Sequence, residues 1–198
     1  MNKIIHFTLL ILLGFLVLFS LFWSGLSISS FKLAQPQIQE MRVIKVIDGD
    51  TLETNNGDIL RVAGIDCPET YKEHKTEKLA LRENFFAQRA KQFCFNLIKN
   101  NDYRIWVCKL KKDNYNRWVS ILFLNQNQIL RETINNKMIE VGLARCAYLS
   151  LKNKFSKYYA QTSLEKNLYQ ILNQSQENSK IKKVGIFNFP SKEVFHKK

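Results

Sequence analysis

The sequence predicts an α+β domain: a five-stranded β-barrel of the OB-fold type with about three helices, preceded by an N-terminal transmembrane or signal helix. Three observations point there. Five short runs rich in β-branched, aromatic and alternating apolar residues lie between turn signals. Three longer segments repeat apolar residues at helical spacing. The order strand-strand-strand-helix-strand-strand is compatible with the five-stranded barrel that binds nucleic acid in its partly open form.

Arg42 to Ile47 is the first expected strand, turned by Asp48-Gly49-Asp50. Thr51 to Thr54 alternates and returns. Asn55-Asn56-Gly57-Asp58 is a turn rich in residues that tolerate positive φ. Ile59 to Ile65 is the third strand, so Asp50 and Asp66 fall at the ends of neighbouring strands. Residues 70–78 read as a charged loop in which His74 is a solvated side chain. From about Leu79 to Ile98 the pattern is helical, with Phe86, Ala90, Phe93 and Leu97 on one face. Tyr103 to Leu110 and Trp118 to Leu124 are strand-like, joined by the polar turn Lys111 to Arg117. A second helix is expected from Leu130 to Val141, with Gly142 as the residue that ends it. Leu143 to Leu149 reads as a short strand and Lys157 to Gln176 as a third helix. From Lys180 on there are six lysines and one acid, with Ile186, Phe187 and Phe189 able to dock back on the core.

In domain terms, residues 1–28 read as a signal peptide or membrane anchor, 29–40 as a linker, 41–190 as the folded domain and 191–198 as a basic tail. Residues 7–23 are almost wholly apolar behind a short positive flank, Met1-Asn2-Lys3. That run lies between a cleaved leader and a spanning helix in length. Either form places the rest of the chain outside the cytoplasm, anchored or secreted. The chain has 198 residues with 30 Lys+Arg against 17 Asp+Glu, a net charge of +13. Such a balance favours a polyanionic partner, nucleic acid or an acidic membrane surface. The four cysteines (Cys67, Cys94, Cys108, Cys146) include no Cys-x-x-Cys spacing, so zinc is not indicated, while disulfides and buried thiols both remain open.

Against this basic background stands an acidic stretch. Asp48, Asp50, Glu53, Asp58, Asp66 and Glu69 fall within 22 residues that hold one cation, Arg61. Carboxylates held close repel one another unless a cation joins them. Asp50, Asp66 and a backbone carbonyl would make a hard, all-oxygen site suited to Ca²⁺. Glu69, three residues past Asp66, is placed to deprotonate a water. Arg61 and Arg117 can grip a phosphate through their planar forks and meet charge that builds there. Glu53 and Asp58 read as solvated strand and turn residues.

These residues resemble the staphylococcal nuclease (thermonuclease) family. The resemblance rests on Asp48-Gly49-Asp50-Thr51, Arg61 in its strand, Gly64-Ile65-Asp66-Cys67-Pro68-Glu69 and Asp113-Asn114-Tyr115-Asn116-Arg117, and covers about Met41 to Phe187. It implies an OB-fold barrel with helices and Ca²⁺-dependent cleavage of DNA and RNA, leaving a 3′-phosphate and a 5′-hydroxyl. Residue by residue it implies that Asp50 and Asp66 hold calcium, with Cys67 binding through its backbone carbonyl and Asp48 in support. Glu69 becomes the general base, Arg61 and Arg117 the phosphate-binding arginines, and Tyr115 and Tyr148 the nucleotide contacts. There are three departures. Cys67 stands where threonine or alanine is common, Asn116 where glycine is usual, and Ser150 where a second stacking tyrosine is expected. The combined expectation is an exported, monomeric Ca²⁺-dependent nuclease with little sequence specificity, attached to the membrane through the N-terminal helix if that helix is uncleaved. The alternative is a non-catalytic nucleic-acid-binding module on the same fold.

Overall fold

The architecture comes from a computed structural model that describes residues 37–71 and 78–196. The first strand, β1 (Ile38–Asp48), is longer than expected and begins inside the segment read as linker. Its first half is what closes the barrel: Ile38 to Arg42 pair antiparallel with Cys108 to Arg104 of β5 (Arg104–Lys112). Its second half pairs with β2 (Thr51–Thr54), with irregular register between Val43 and Lys45 and between Val46 and Asp48. Bulges of this kind add twist and bend where a short barrel must turn. β2 pairs with β3 (Ile59–Val62), β3 runs parallel to β6 (Trp118–Phe123), and β6 returns antiparallel to β5. The five strands thus form a closed ring, β1-β2-β3-β6-β5, where a partly open one was expected. Closure leaves no row of unpaired backbone groups at a sheet edge.

Alternation along these strands sends Val43, Leu52, Leu60, Ile105, Val107, Ile121 and Phe123 inward, and all are buried. Helix α1 (Glu83–Lys99) covers the barrel with Phe86, Ala90, Cys94 and Ile98, spaced by four. Phe93 and Leu97, expected on the same face, lie at its flank, only partly buried. The helix starts at Glu83 rather than Leu79, and the Glu83 carboxylate accepts the Ala80 N–H at 2.9 Å, fixing the turn before it.

The second helical segment divides. Leu130–Glu132 is a 3-10 turn, and α2 (Ile134–Glu140) restarts after Thr133, whose hydroxyl accepts from the Asn136 N–H at 3.1 Å. Its Asn135 is fully buried and acts as a piece of backbone. The side-chain carbonyl accepts from Leu122 N–H at 3.0 Å and the amide donates to Ala63 C=O at 2.7 Å. Asn135→Leu would strand both backbone groups, at about 1–3 kcal/mol for each buried group left unpaired. A fall in the urea midpoint at unchanged slope is the expected reading, and an unchanged midpoint would contradict it.

Leu143 to Leu149 forms only a two-residue strand, β7 (Arg145–Cys146), paired with β4 (Ile65–Asp66) as Asp66↔Arg145. The third helix, α3 (Ser163–Ile181), lies later than its apolar spacing predicts. Thr162 and Glu165 form a capping box that sets its start. The docking expected of the last segment is present: a 3-10 turn, Gly185–Asn188, carries buried Ile186, and Phe187 and Phe189 pack against the core. The core continues into the segment read as basic tail, where α4 (Ser191–Val194) brings Val194 and then Phe195 into it.

Among the described residues no helix is long and apolar enough to cross a membrane. The signal peptide or anchor expected over residues 1–28, and His74, lie outside the described residues.

Candidate functional site

The turn after β1 and the chain through β3 and β4 converge at one end of the barrel. Asp50 directly precedes β2, whose Thr51 pairs with Arg61 on β3. Gly64 adopts φ +76° between β3 and β4, and a Cβ there would stand 2.7 Å from Leu172 Cδ1. Glycine therefore allows the reversal that carries Asp66 back toward Asp50.

The Arg61 guanidinium lies between the two acids: Nη1 is 2.8 Å from Asp50 Oδ2 and Nη2 is 3.6 Å from Asp66 Oδ1. Asp50 is nearly buried. Its Oδ2 also accepts from the Cys67 N–H at 2.9 Å, and its Oδ1 accepts from the Thr51 hydroxyl at 3.0 Å. Asp66 has a second arginine that its sequence surroundings did not suggest. Arg145 Nε donates to Asp66 Oδ2 at 3.0 Å and Nη2 reaches the same oxygen at 2.8 Å. Burial pushes the Asp66 carboxyl upward, and although Arg145 and Arg61 oppose this, the net direction is up. For Arg61 the balance goes the other way: burial lowers its guanidinium, but Asp50 first among the acids raises it, and it stays charged.

Asp48 accepts a hydrogen bond at 2.8 Å from the Thr70 hydroxyl, which ties the Glu69 loop to the turn after β1. The Glu69 N–H donates to Glu83 Oε1 at 3.3 Å. Tyr148 has φ +59°, and its ring centroid lies 5.7 Å from the Arg61 guanidinium carbon. Ser150 joins Tyr159 in a β-bridge, and Tyr158 from the same segment stands 5.3 Å from the Tyr148 ring. An aromatic partner for Tyr148 is thus present although position 150 lacks one.

The Asp113–Arg117 turn forms a unit of its own. Asn116 adopts φ +61°, the left-handed conformation for which glycine was expected and which asparagine tolerates. Arg117 Nε and Nη2 both approach Asp113 Oδ2 at 2.8 Å, and its guanidinium lies over the Tyr115 ring at 5.2 Å. Burial raises the Asp113 carboxyl, but the hydrogen bonds from Arg117 outweigh it and hold it below its ordinary range. Asp50, Arg61, Asp66, the Cys67 amide and Tyr148 are therefore brought together, whereas the contacts of Arg117 and Tyr115 are within their own turn.

The Cys67 thiol is buried beside Gly49 and Ala90 in the core. Burial first, and Asp50 second, push it well up. It has neither the ionisation nor the access of a soft-metal ligand. All four cysteines are free thiols, and burial pushes Cys94 and Cys146 up to about 12. Asp58, expected to be solvated, pairs with Lys109 at 2.6 Å.

The donor set fits a hard cation in kind, since both converging acids offer oxygen and the soft donor is turned away. It is small in number: among the described residues no three His, Cys, Asp or Glu side chains stand together as a metal-holding group. Two carboxylates are a minority of the 6–8 oxygens that Ca²⁺ takes, so backbone, water and substrate oxygens would supply the rest.

Sequence reasoning missed Arg145, Glu83 and His196. The Asp66↔Arg145 pairing spans 79 positions, and only an arginine inside a strand-like run hinted at it. Glu83 could have been noticed as a lone acid opening a helix. His196 lay hidden in a lysine-rich segment.

Comparison with known proteins places residues 59–188 under the family model described as "Staphylococcal nuclease homologue". The match takes in Arg61, Asp66, Cys67, Glu69, Arg117 and Tyr148, while Asp48, Asp50, Phe195 and His196 fall outside it. No curated protein matches the chain.

Proposed function

The chain belongs to the staphylococcal nuclease homologue family, and from that premise we propose that it is a Ca²⁺-dependent nuclease acting on DNA and RNA with little sequence specificity. The observation that carries the proposal is the Asp50–Arg61–Asp66 bridge, a nearly buried guanidinium held between two carboxylates at one end of the barrel. Such an arrangement has little structural use, because isolated buried ion pairs seldom add net stability. It does place hard oxygen donors next to a two-pronged phosphate ligand.

Asp50 and Asp66, with the Cys67 carbonyl, would hold Ca²⁺, and Asp48 supports the turn behind them. Bound there, the ion supplies positive charge against the phosphate oxygens. Glu69 takes a proton from the attacking water, whose oxygen forms the new bond to phosphorus. The bond to the 5′ oxygen breaks and that oxygen takes up a proton from solvent water, leaving a 3′-phosphate and a 5′-hydroxyl. Arg61 donates hydrogen bonds to phosphate oxygens as their charge grows. Arg117 does the same once it shares or releases Asp113, its partner in a partly exposed pair within one turn. Tyr115 and Tyr148 give bases apolar faces to stack on, which reads no sequence. The charge of +13 draws the polyanion in. The N-terminal apolar run supports export, with the enzyme secreted or anchored, acting as a monomer.

The second reading, a non-catalytic nucleic-acid-binding module, draws on Arg145 and Arg61 already compensating the two acids, and on Arg117 being tied to Asp113. One assay separates the two. The full chain is expected to cut plasmid and single-stranded DNA with Ca²⁺, to stop with excess chelator and to resume when Ca²⁺ is restored. Binding without cutting, or cutting indifferent to chelator, would overturn the proposal.

A further inference from the structure

We propose that the C-terminal pair Phe195–His196 is a brace that positions the two working acids from behind, His196 acting on Glu69 through Glu83, and Phe195 acting on Asp66 through Arg145. The inference rests on the roles given above to Glu69 and Asp66. It concerns residues outside the region shared with the family.

The first arm is a buried carboxylate with a full set of donors. Glu83 is 1% exposed. It accepts from the His196 N–H at 3.0 Å and from His196 Nδ1 at 2.8 Å, and also from the N–H groups of Ala80 and Glu69. His196 Nδ1 lies 2.8 Å from both carboxylate oxygens and donates to them in the tautomer that carries the proton on Nδ1. Two of the four donors come from the C-terminal segment and one from the backbone of the proposed base. The Glu69 loop is therefore fastened, through one carboxylate, to a residue 127 positions further on.

The second arm is a stack. The Phe195 ring centroid lies 3.7 Å from the Arg145 guanidinium carbon, and Arg145 holds Asp66 Oδ2 through Nε and Nη2. A guanidinium fixed on a ring face presents its fork in one direction. Both arms issue from one anchored element: the Arg82 N–H donates to Glu193 C=O at 2.7 Å, and Arg82 Nε meets Glu193 Oε2 at 3.0 Å.

His196→Ala keeps the residue's backbone N–H but removes the ring donor, so the buried Glu83 loses one of its four donors, and water or the Glu69 loop must move to compensate. A displacement of about 1 Å at a catalytic group costs on the order of a hundredfold in rate, so even a partial shift is measurable. The test uses the full chain with Ca²⁺ and DNA, well below the melting midpoint. His196→Ala is expected to lower kcat by about tenfold or more with KM within about twofold, His196→Asn to recover most of it, and the Glu69 N–H to exchange with solvent faster. In a Glu69→Gln background His196→Ala should cost nothing further, because both act through one group. Phe195→Leu keeps the core filled while removing the ring face, and should lower kcat severalfold; it also carries the test if His196→Ala does not fold. Unchanged kcat in both His196→Ala and Phe195→Leu, or an equal loss with and without Glu69, overturns the brace. A large loss in Glu69→Gln with none in the brace variants rejects the brace alone. No loss in Glu69→Gln rejects the base assignment and takes the brace with it.

Discussion

Glu69→Gln is expected to lower kcat by at least about a hundredfold, within the range of about 10²–10⁴ that general bases supply. The amide has nearly the shape of the acid but cannot take a proton from water. The backbone of residue 69 is held by Glu83 and the neighbouring Thr70 by Asp48, so the exchange leaves the loop in place. Nucleic-acid affinity and the melting midpoint should therefore stay close to those of the parent. Steady-state cleavage, read beside a binding titration in Ca²⁺, separates the two effects. Turnover at the parent rate would remove Glu69 from its role, and weakened binding with unchanged kcat would recast it as a contact.

The second large effect is at Arg61. Its fork reaches Asp50 Oδ2 at 2.8 Å, Asp66 Oδ1 at 3.6 Å and the Val62 C=O at 3.4 Å, with a side chain only 11% exposed. One ammonium cannot span those partners and a phosphate as well. Arg61→Lys should lose about 10²–10³ in kcat, the cost of one donor aimed at developing charge. Arg61→Ala should in addition cost about 3–5 kcal/mol of stability, because two acids lose their buried partner. The lysine variant keeps a positive charge there and should fall between parent and alanine in a urea titration. Full activity in the lysine variant would count against two-pronged phosphate binding. An alanine variant as stable as the parent would show that the two acids are compensated without Arg61.

Much of this site was legible in the chain, for a physical reason. Asp50, Arg61 and Asp66 lie within 17 residues, and the turn at Asn55 to Asp58 that joins the first two is announced by its residues. The reversal at Gly64 was not read, because Ile59 to Ile65 looks like one unbroken strand where the structure divides it into β3 and β4. Local rules set the barrel's second and third strands and the inward positions of Leu52 and Leu60. Illegible were the features made by distant partners. Ile38 to Glu40 look like linker, and become strand only because β5 offers an open ladder. Arg145 becomes part of the site only when β7 meets β4. Val194 and Phe195 were obscured by surrounding lysines, although each is apolar enough to be core. The shift of α3 is different, because Thr162-Ser163-Leu164-Glu165 is a readable capping box that apolar spacing alone overlooks.

The most direct measurement is end-group analysis of a short DNA strand incubated with the full chain and Ca²⁺. Hydrolysis by the proposed route yields fragments with 3′-phosphate and 5′-hydroxyl ends, absent with chelator and reduced at least about a hundredfold in Glu69→Gln. Intact strand recovered from a stable complex, or fragments carrying 5′-phosphate ends, would contradict it.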